Sequence, residues 1–263
     1  MQFEAKRVWI TGASSGIGAA LAQEMAAQGA LVVLSARRED RLREVLSRCA
    51  FPDRHLIFPF DATAFETHEE AVRRVEELAG PIDVLVLNAG IGQRGEALET
   101  ELEVERSIMD VNYTGTVSLA KWAGRRMRSR QSGSIVVISS VLGKLSIGGS
   151  SSYSASKHAL HGYFDSLRAE LYGDGVRVTM VCPGYINTDI TLHALQSDGS
   201  AFGVIDHNHT FGMDADVCAR KICLAVADGR DEISVGGREI WGITLARLFP
   251  GLARRIARRY ERK

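Results

Sequence analysis

Tyr153 and Lys157 stand four residues apart within residues 152–172, a stretch of helical period, so both side chains rise from one helix face, one turn from each other. That spacing points to acid/base chemistry. A phenol with a pKa of about 10 is a poor base near neutrality, and a neighbouring ammonium stabilises its phenolate; a shift of about three units corresponds to roughly 4 kcal/mol. Ser139 and Ser140 end an apolar run shortly before this pair. A hydroxyl at the carboxyl end of a strand, where open α/β sheets bind ligands, can hydrogen-bond a substrate oxygen and stabilise developing alkoxide charge.

A second constellation points to a phosphate-bearing partner. Thr11-Gly12-Ala13-Ser14-Ser15-Gly16-Ile17-Gly18 joins an apolar run at 7–11 to a helical stretch at 17–28. Gly12 permits a tight turn, Gly16 lets backbone approach a pyrophosphate, and Gly18 permits close packing of helix on strand, while backbone from Ser14, Ser15 and Ile17 to Gly18 opens the helix and offers N–H donors to an anion. An acidic side chain after the second strand would accept hydrogen bonds from a ribose 2′-OH. The chain carries Ser35-Ala36-Arg37-Arg38 there instead. Arg37 can stack on adenine and pair with a 2′-phosphate through its planar fork, which favours NADP(H).

The elements that must position these residues follow from hydrophobic period. Short β-branched runs at 7–11, 31–36, 55–60, 84–87, 134–139, 177–181 and 232–235 alternate with helical stretches at 17–28, 38–49, 67–79, 102–128, 152–172 and 215–227. The alternation predicts repeated βαβ units around a buried parallel sheet. Residues 184–213 fit neither period and are expected to form a substrate-binding loop; residues 244–263 read as a basic C-terminal helix.

The spacing GxxxGxG, with the residues that follow it in chain order, resembles the short-chain dehydrogenase/reductase family in its single-domain branch. The matching residues are Asn88-Ala89-Gly90, Asn112-Tyr113-Thr114-Gly115, Ser139-Ser140, Tyr153-Ser154-Ala155-Ser156-Lys157 and Pro183-Gly184. The resemblance implies a doubly wound α/β Rossmann-type domain over residues 1–263, with a mostly parallel seven-stranded sheet in the order 3-2-1-4-5-6-7 and helices on both faces. It implies hydride transfer between NADP(H) and a carbonyl or secondary alcohol, with Tyr153 as acid/base and Lys157 lowering its pKa and holding the nicotinamide ribose. The thirteen-residue interval to Tyr153 selects Ser140 over Ser139 as the group on the substrate oxygen. Asn112 would bind a water that relays protons to the lysine, Asp61 would hold the adenine edge, Asn88, Ala89 and Gly90 would line the cofactor, and Ile186 and Thr188 would hold the carboxamide. Ala36 replaces the Asp usual in NAD-preferring members, and Ser15 replaces the basic residue of some NADP-dependent ones.

Within the family, Leu34-Ser35-Ala36-Arg37-Arg38, Tyr153-Ser154-Ala155-Ser156-Lys157-His158-Ala159 and Pro183-Gly184-Tyr185-Ile186 most resemble the branch of hydroxysteroid dehydrogenases and related dehydrogenase/reductases, which favours lipophilic carbonyls such as steroids and retinoids, so the resemblance implies a small-molecule carbonyl or alcohol of lipophilic kind. The helices at 102–128 and 152–172 resemble those through which members build homodimers and homotetramers. Lys plus Arg and Asp plus Glu balance at 32 each, so global charge gives no reason to expect nucleic acid. Leu252, Ile256 and either Tyr260 or Arg259 recur at helical spacing among paired arginines, a pattern suited to peripheral membrane contact or a partner subunit. Cys49, Cys182, Cys218 and Cys223 show no metal or disulfide pattern, and no signal or spanning segment is read, so a cytoplasmic protein without metal is expected. Two other activities compete: a non-catalytic NADP(H)-binding regulator, which would typically lack the tyrosine or lysine, and a cofactor-retaining epimerase or dehydratase, which usually carries GxxGxxG and a larger C-terminal domain.

Overall fold

The computed structural model describes residues 2–204 and 206–260. Strands β1 (Arg7–Thr11), β2 (Leu31–Ser35), β3 (Leu56–Ile57), β4 (Val84–Leu87), β5 (Gly133–Ile138), β6 (Val176–Pro183) and β9 (Glu232–Val235) form one parallel sheet in the order β3-β2-β1-β4-β5-β6-β9. This is the expected seven-stranded order. Two short strands, β7 (Ile186–Asn187) and β8 (Met213–Asp214), pair with each other outside it.

The strands are apolar on both faces because both faces are covered. Val8, Ile10, Val32, Leu34, Val84 and Val86 point to one face, into a core shared with α1 (Gly16–Ala27), α2 (Glu39–Leu46) and α8 (Ala215–Ala227). Trp9, Val33, Leu85, Leu87, Ile135 and Val137 point to the other, against α3 (His68–Ala79), α5 (Gly115–Ser129) and α6 (Ser151–Glu170). Each large apolar side chain buried this way contributes about 1.5–3 kcal/mol.

Three predicted elements differ from those observed. The third strand shrinks to two residues because it is an edge strand interrupted by Pro59, which has no N–H; Phe58 N and Phe60 N still donate to Leu34 O and Ala36 O. The predicted helix 102–128 is α4 (Leu102–Met109), a π-helical turn over Asp110–Thr114, and α5. The wide turn sits where Asn112 is drawn inward by distant partners. The C-terminal helix is also two: α9 (Trp241–Leu248) and α10 (Pro250–Tyr260). Pro250 disfavours helical backbone at the preceding Phe249 (φ −132°, ψ 63°) and then opens a new helix as its first residue.

Residues 184–213 are built into the molecule. They contain β7 and α7 (His207–Thr210), and Leu195 bridges Gln93 on one side and Ala201 on the other.

Candidate active site

The sheet order reverses at β1, which pairs with both β2 and β4, and the carboxyl ends of these strands open a crevice. The loop from β1 to α1 lines it. Gly12 turns with φ +64°, and a Cβ there would lie 2.8 Å from Ala89 Cα. A Cβ on Gly18 would lie 2.3 Å from Gly12 O and 2.5 Å from Asn88 Nδ2, so Gly18 lets the first helical turn close on its own loop. Asn88 braces that loop, its amide donating to Thr11 O at 3.1 Å and to Gly12 O at 3.0 Å. Thr11 Oγ1 in turn accepts from Asn88 N and Ala89 N.

Ser15 is the N-cap of α1, makes no side-chain cap, and no acidic residue occupies the first turn. The free N–H groups of Gly16, Ile17 and Gly18 therefore suit an anion. At the rim Arg37 is exposed and has no ion pair among the described residues. Asp61 Oδ1 accepts from Thr63 N (2.9 Å) and Thr63 Oγ1 (2.8 Å), which holds its carboxyl below the usual range, with Arg37 adding to the effect. The glycine loop, Ser14, Arg37, Asp61, Asn88, Ala89 and Gly90 thus share one wall, and these residues fit a dinucleotide phosphate.

The same cleft, about 1110 Å³, runs on to Ser140, Tyr153 and Lys157, and past Ile186 and Thr188. Ser140 ends β5, and its Oγ accepts from Leu142 N at 3.1 Å. Tyr153 lies in the first turn of α6, near Ser140; burial raises its pKa, while the Ser140 side chain and the charge of Arg94 oppose the rise. Lys157 is 4% exposed. Its Nζ donates to Ile138 O at 2.9 Å and lies 5.7 Å from the Tyr153 ring centre, and burial pushes its pKa down to about 8.

Asn112, fully buried, ties three segments together. Its Oδ1 accepts from Ile91 N (2.8 Å), and its Nδ2 donates to Ile91 O (3.0 Å) and Ser156 Oγ (3.1 Å). Ser139, adjacent to Ser140, turns the other way and contacts Lys157 O and His161 Nε2.

Several site residues carried no motif in the sequence. Gln93 Oε1 accepts from Ser152 N (2.7 Å) and Tyr153 N (3.1 Å), capping α6 at Tyr153. Arg94 Nη2 donates to Asp206 Oδ2 at 2.7 Å. Their one signal was polarity directly after Asn88-Ala89-Gly90, too common to single out. Behind the site, ligand atoms of His161, Cys182 and Glu232 lie within 4.8 Å of one another, but Lys144 Nζ occupies Glu232 at 2.8 Å. Burial pushes His161 down to about 4 and Cys182 up to about 12.

Comparison with known proteins agrees with this geometry. A family model described as short chain dehydrogenase matches residues 6–198. The chain is 44% identical over 236 residues to a dehydrogenase/reductase SDR family protein 7-like of Anopheles gambiae, covering 88% of this chain and 74% of that one. It is 40% identical over 242 residues to dehydrogenase/reductase SDR family member 7B of Xenopus laevis, covering 89% and 75%. A solved short-chain dehydrogenase from Streptomyces avermitilis superposes with a TM-score of 0.81 at 29% identity, covering 98% of this chain and 97% of that one. With the sheet order, the glycine loop and the Ser140, Tyr153 and Lys157 cluster in place, the chain belongs to the short-chain dehydrogenase/reductase family of oxidoreductases.

Proposed function

We propose that the protein is an NADP(H)-dependent reductase of lipophilic carbonyl compounds in which Tyr153 is the proton donor. One observation carries the reading: Ser140, Tyr153 and Lys157 converge on a cleft that continues unbroken to the uncapped start of α1 and to Arg37. When bound, the dinucleotide supplies the hydride that reduces the carbonyl carbon.

The chain's own residues do the rest. Ser140 Oγ accepts a backbone N–H, which leaves its O–H to donate to a substrate oxygen. Tyr153 is held as a neutral phenol by burial, the state a proton donor needs. Lys157 supplies the cation that stabilises the phenolate left behind. Ala36 presents no carboxylate to a 2′-phosphate and Arg37 stands beside it, which supports NADP(H) over NAD(H). Ile186 and Thr188 on the opposite wall would hold the carboxamide.

Leu142, Leu145, Ile147, Leu195 and Leu245 line the substrate end, in keeping with an apolar substrate. Ala253, Ile256 and Ala257 of α10 line it too, so the C-terminal helices serve as its cover. Their outer surface exposes Trp241, Leu248, Phe249 and Leu252 beside Arg247, Arg254, Arg255 and Arg258. No described helix is long and apolar enough to cross a membrane. Our reading is that this cover rests on anionic lipid, where each cation contributes about 1 kcal/mol. Sedimentation with anionic and neutral vesicles tests it; equal pelleting removes membrane contact. A homodimer through α5 and α6 completes the proposal, and a monomeric mass by light scattering at micromolar concentration overturns that part.

The deciding assay is dinucleotide consumption across ketones, aldehydes, quinones and steroids, with NADPH compared to NADH. Tyr153→Phe is expected to lower turnover by about 10²–10⁴-fold with NADPH binding retained. Substantial residual turnover in that variant removes Tyr153 as acid/base. Substrate turning over without net consumption of NADPH identifies an isomerising enzyme instead.

A further inference from the structure

The segment between β4 and α4 does more than follow a cofactor wall. Gly92 O accepts from Leu195 N at 3.0 Å, and Arg94 N donates to Leu195 O at 2.8 Å, so Leu195 is gripped from both sides. Gly95 N donates to Gly149 O at 3.0 Å, and Ser150 Oγ donates to Gln93 O at 3.4 Å, which fixes the same segment to the start of α6. Two side chains extend from it, and Arg94 also donates to Ser150 Oγ at 3.4 Å. Gln93, 3% exposed, caps α6 at the N–H groups of Ser152 and Tyr153. Arg94 reaches Asp206, and both partners are largely shielded, at 22% and 24% side-chain exposure. Asp206 also caps the short turn of α7, its Oδ1 accepting from Asn208 N while its Oδ2 accepts from Arg94.

We propose that Gln93 and Arg94 form a positioning couple through which docking of the 184–213 segment sets the orientation of Tyr153. Asp206 and Leu195 anchor the strut when the substrate segment is in place, and Gln93 transmits that anchoring to the first turn of α6. Loss of the anchor loosens the cap, and the phenol loses its fixed approach to Ser140. The cleft that holds Tyr153 is lined by Lys157 on its own helix, Arg94 from the segment after β4, Asp189, His193 and His209 from the 184–213 segment, Glu239 and Arg254 from the C-terminal elements, and, at its far end, Arg37, Arg38 and Asp61. The charge of Arg94 acts on Tyr153 toward the phenolate, so the same contact that ties the segment down also bears on the phenol.

The inference rests on the reductase reading for its catalytic consequence, but its structural core is tested without turnover. Hydrogen exchange of the full chain is followed at the amides of Ser152 and Tyr153 and across residues 191–210. Asp206→Asn and Arg94→Met are expected to speed exchange in both regions. Gln93→Ala is expected to speed exchange about fivefold at Ser152 and Tyr153, the loss typical of a helix cap. Gln93→Glu keeps the acceptor and is expected to restore protection. If Asp206→Asn loosens residues 191–210 while Ser152 and Tyr153 stay unchanged, the coupling is wrong.

Turnover adds a second readout where the wild-type protein reduces a quinone or ketone of the panel. Arg94→Met and Gln93→Ala should then lower kcat with the KM for NADPH unchanged, and Arg94→Met should move the Tyr153 inflection of the alcohol-oxidation profile to higher pH, with Arg94→Lys restoring it. An unmoved inflection in Arg94→Met overturns the electrostatic part. A wild-type protein inactive on the whole panel removes the reductase reading alone, since the exchange data still decide the coupling.

Discussion

At the end of the cleft proposed for the cofactor, Arg37 and Asp61 are exposed, and the surface suited to an anion is backbone N–H groups arranged by Gly12, Gly18 and Asn88. At the end proposed for catalysis, Lys157 and His161 are buried and both have pKa values pushed far down by desolvation, while Cys182 beside His161 is pushed up. The first end is preorganised sterically, with its charges left in water where they cost little. The second stores unfavourable desolvation, because a poised lysine needs to be taken out of water. Rigidity at one end and stored electrostatic cost at the other are separable, and mutation should separate them.

The largest effect is expected at Lys157. A free lysine titrates near 10.4 and Lys157 at about 8, so between those values the unfolded chain binds more protons and stability rises with pH. Holding the charge at pH 7 then costs about 3 kcal/mol. Lys157→Met should lower turnover by about 10²–10⁴-fold while raising stability at pH 7 by up to about 3 kcal/mol, a gain that fades as pH approaches roughly 10. Urea unfolding at several pH values checks it; a destabilised variant at neutral pH would break the contrast between the two ends.

His161 gives the same sign in a more acidic window. It is neutral when folded, with a pKa of about 4 against an ordinary 6.5. Its contribution is complete above about pH 6.5 and is lost as pH falls through about 4, amounting to roughly 3 kcal/mol. His161→Gln should flatten the acid limb of the stability curve over that window. An unchanged limb would show that other groups govern acid unfolding.

Effects at the cofactor end should be steric and independent of pH. Gly18→Ala sets a methyl 2.3 Å from Gly12 O and is expected to cost about 1–3 kcal/mol while weakening NADPH binding. Calorimetry at pH 6 and pH 9 should give the same loss. Arg37→Ala, the mildest for the fold, should raise the KM for NADPH roughly ten- to hundred-fold with no change in stability, the loss of a hydrogen bond to a charged group. Equal KM shifts for NADH and NADPH would remove Arg37 as the reader of a 2′-phosphate.

Much of the sheet and the first face of the site was legible because its signals are local. Uninterrupted apolar runs mark buried parallel strands, and a glycine loop between strand and helix marks an anion site whatever lies further along the chain. The edge strand was overread because periodicity does not report that Pro59 interrupts the ladder. Asn112 was assigned to a continuous helix because nothing within four residues of it reveals Ile91 or Ser156. Gln93 and Arg94 were missed for the same reason, since their partners lie 59 and 112 residues away.

By itself the sequence determined the alternation of strands and helices, the glycine loop and the spacing that puts Tyr153 and Lys157 on one helix face, because each depends on short-range sterics and period, whereas the sheet order followed from the family resemblance. Only the tertiary structure decided that the desolvation of Lys157 and His161 is shared with a dry core, that Gln93 caps the helix of Tyr153, and that α9 and α10 close over the cleft. Those features depend on the distance between segments far apart in the chain, and burial and electrostatic coupling are properties of that distance.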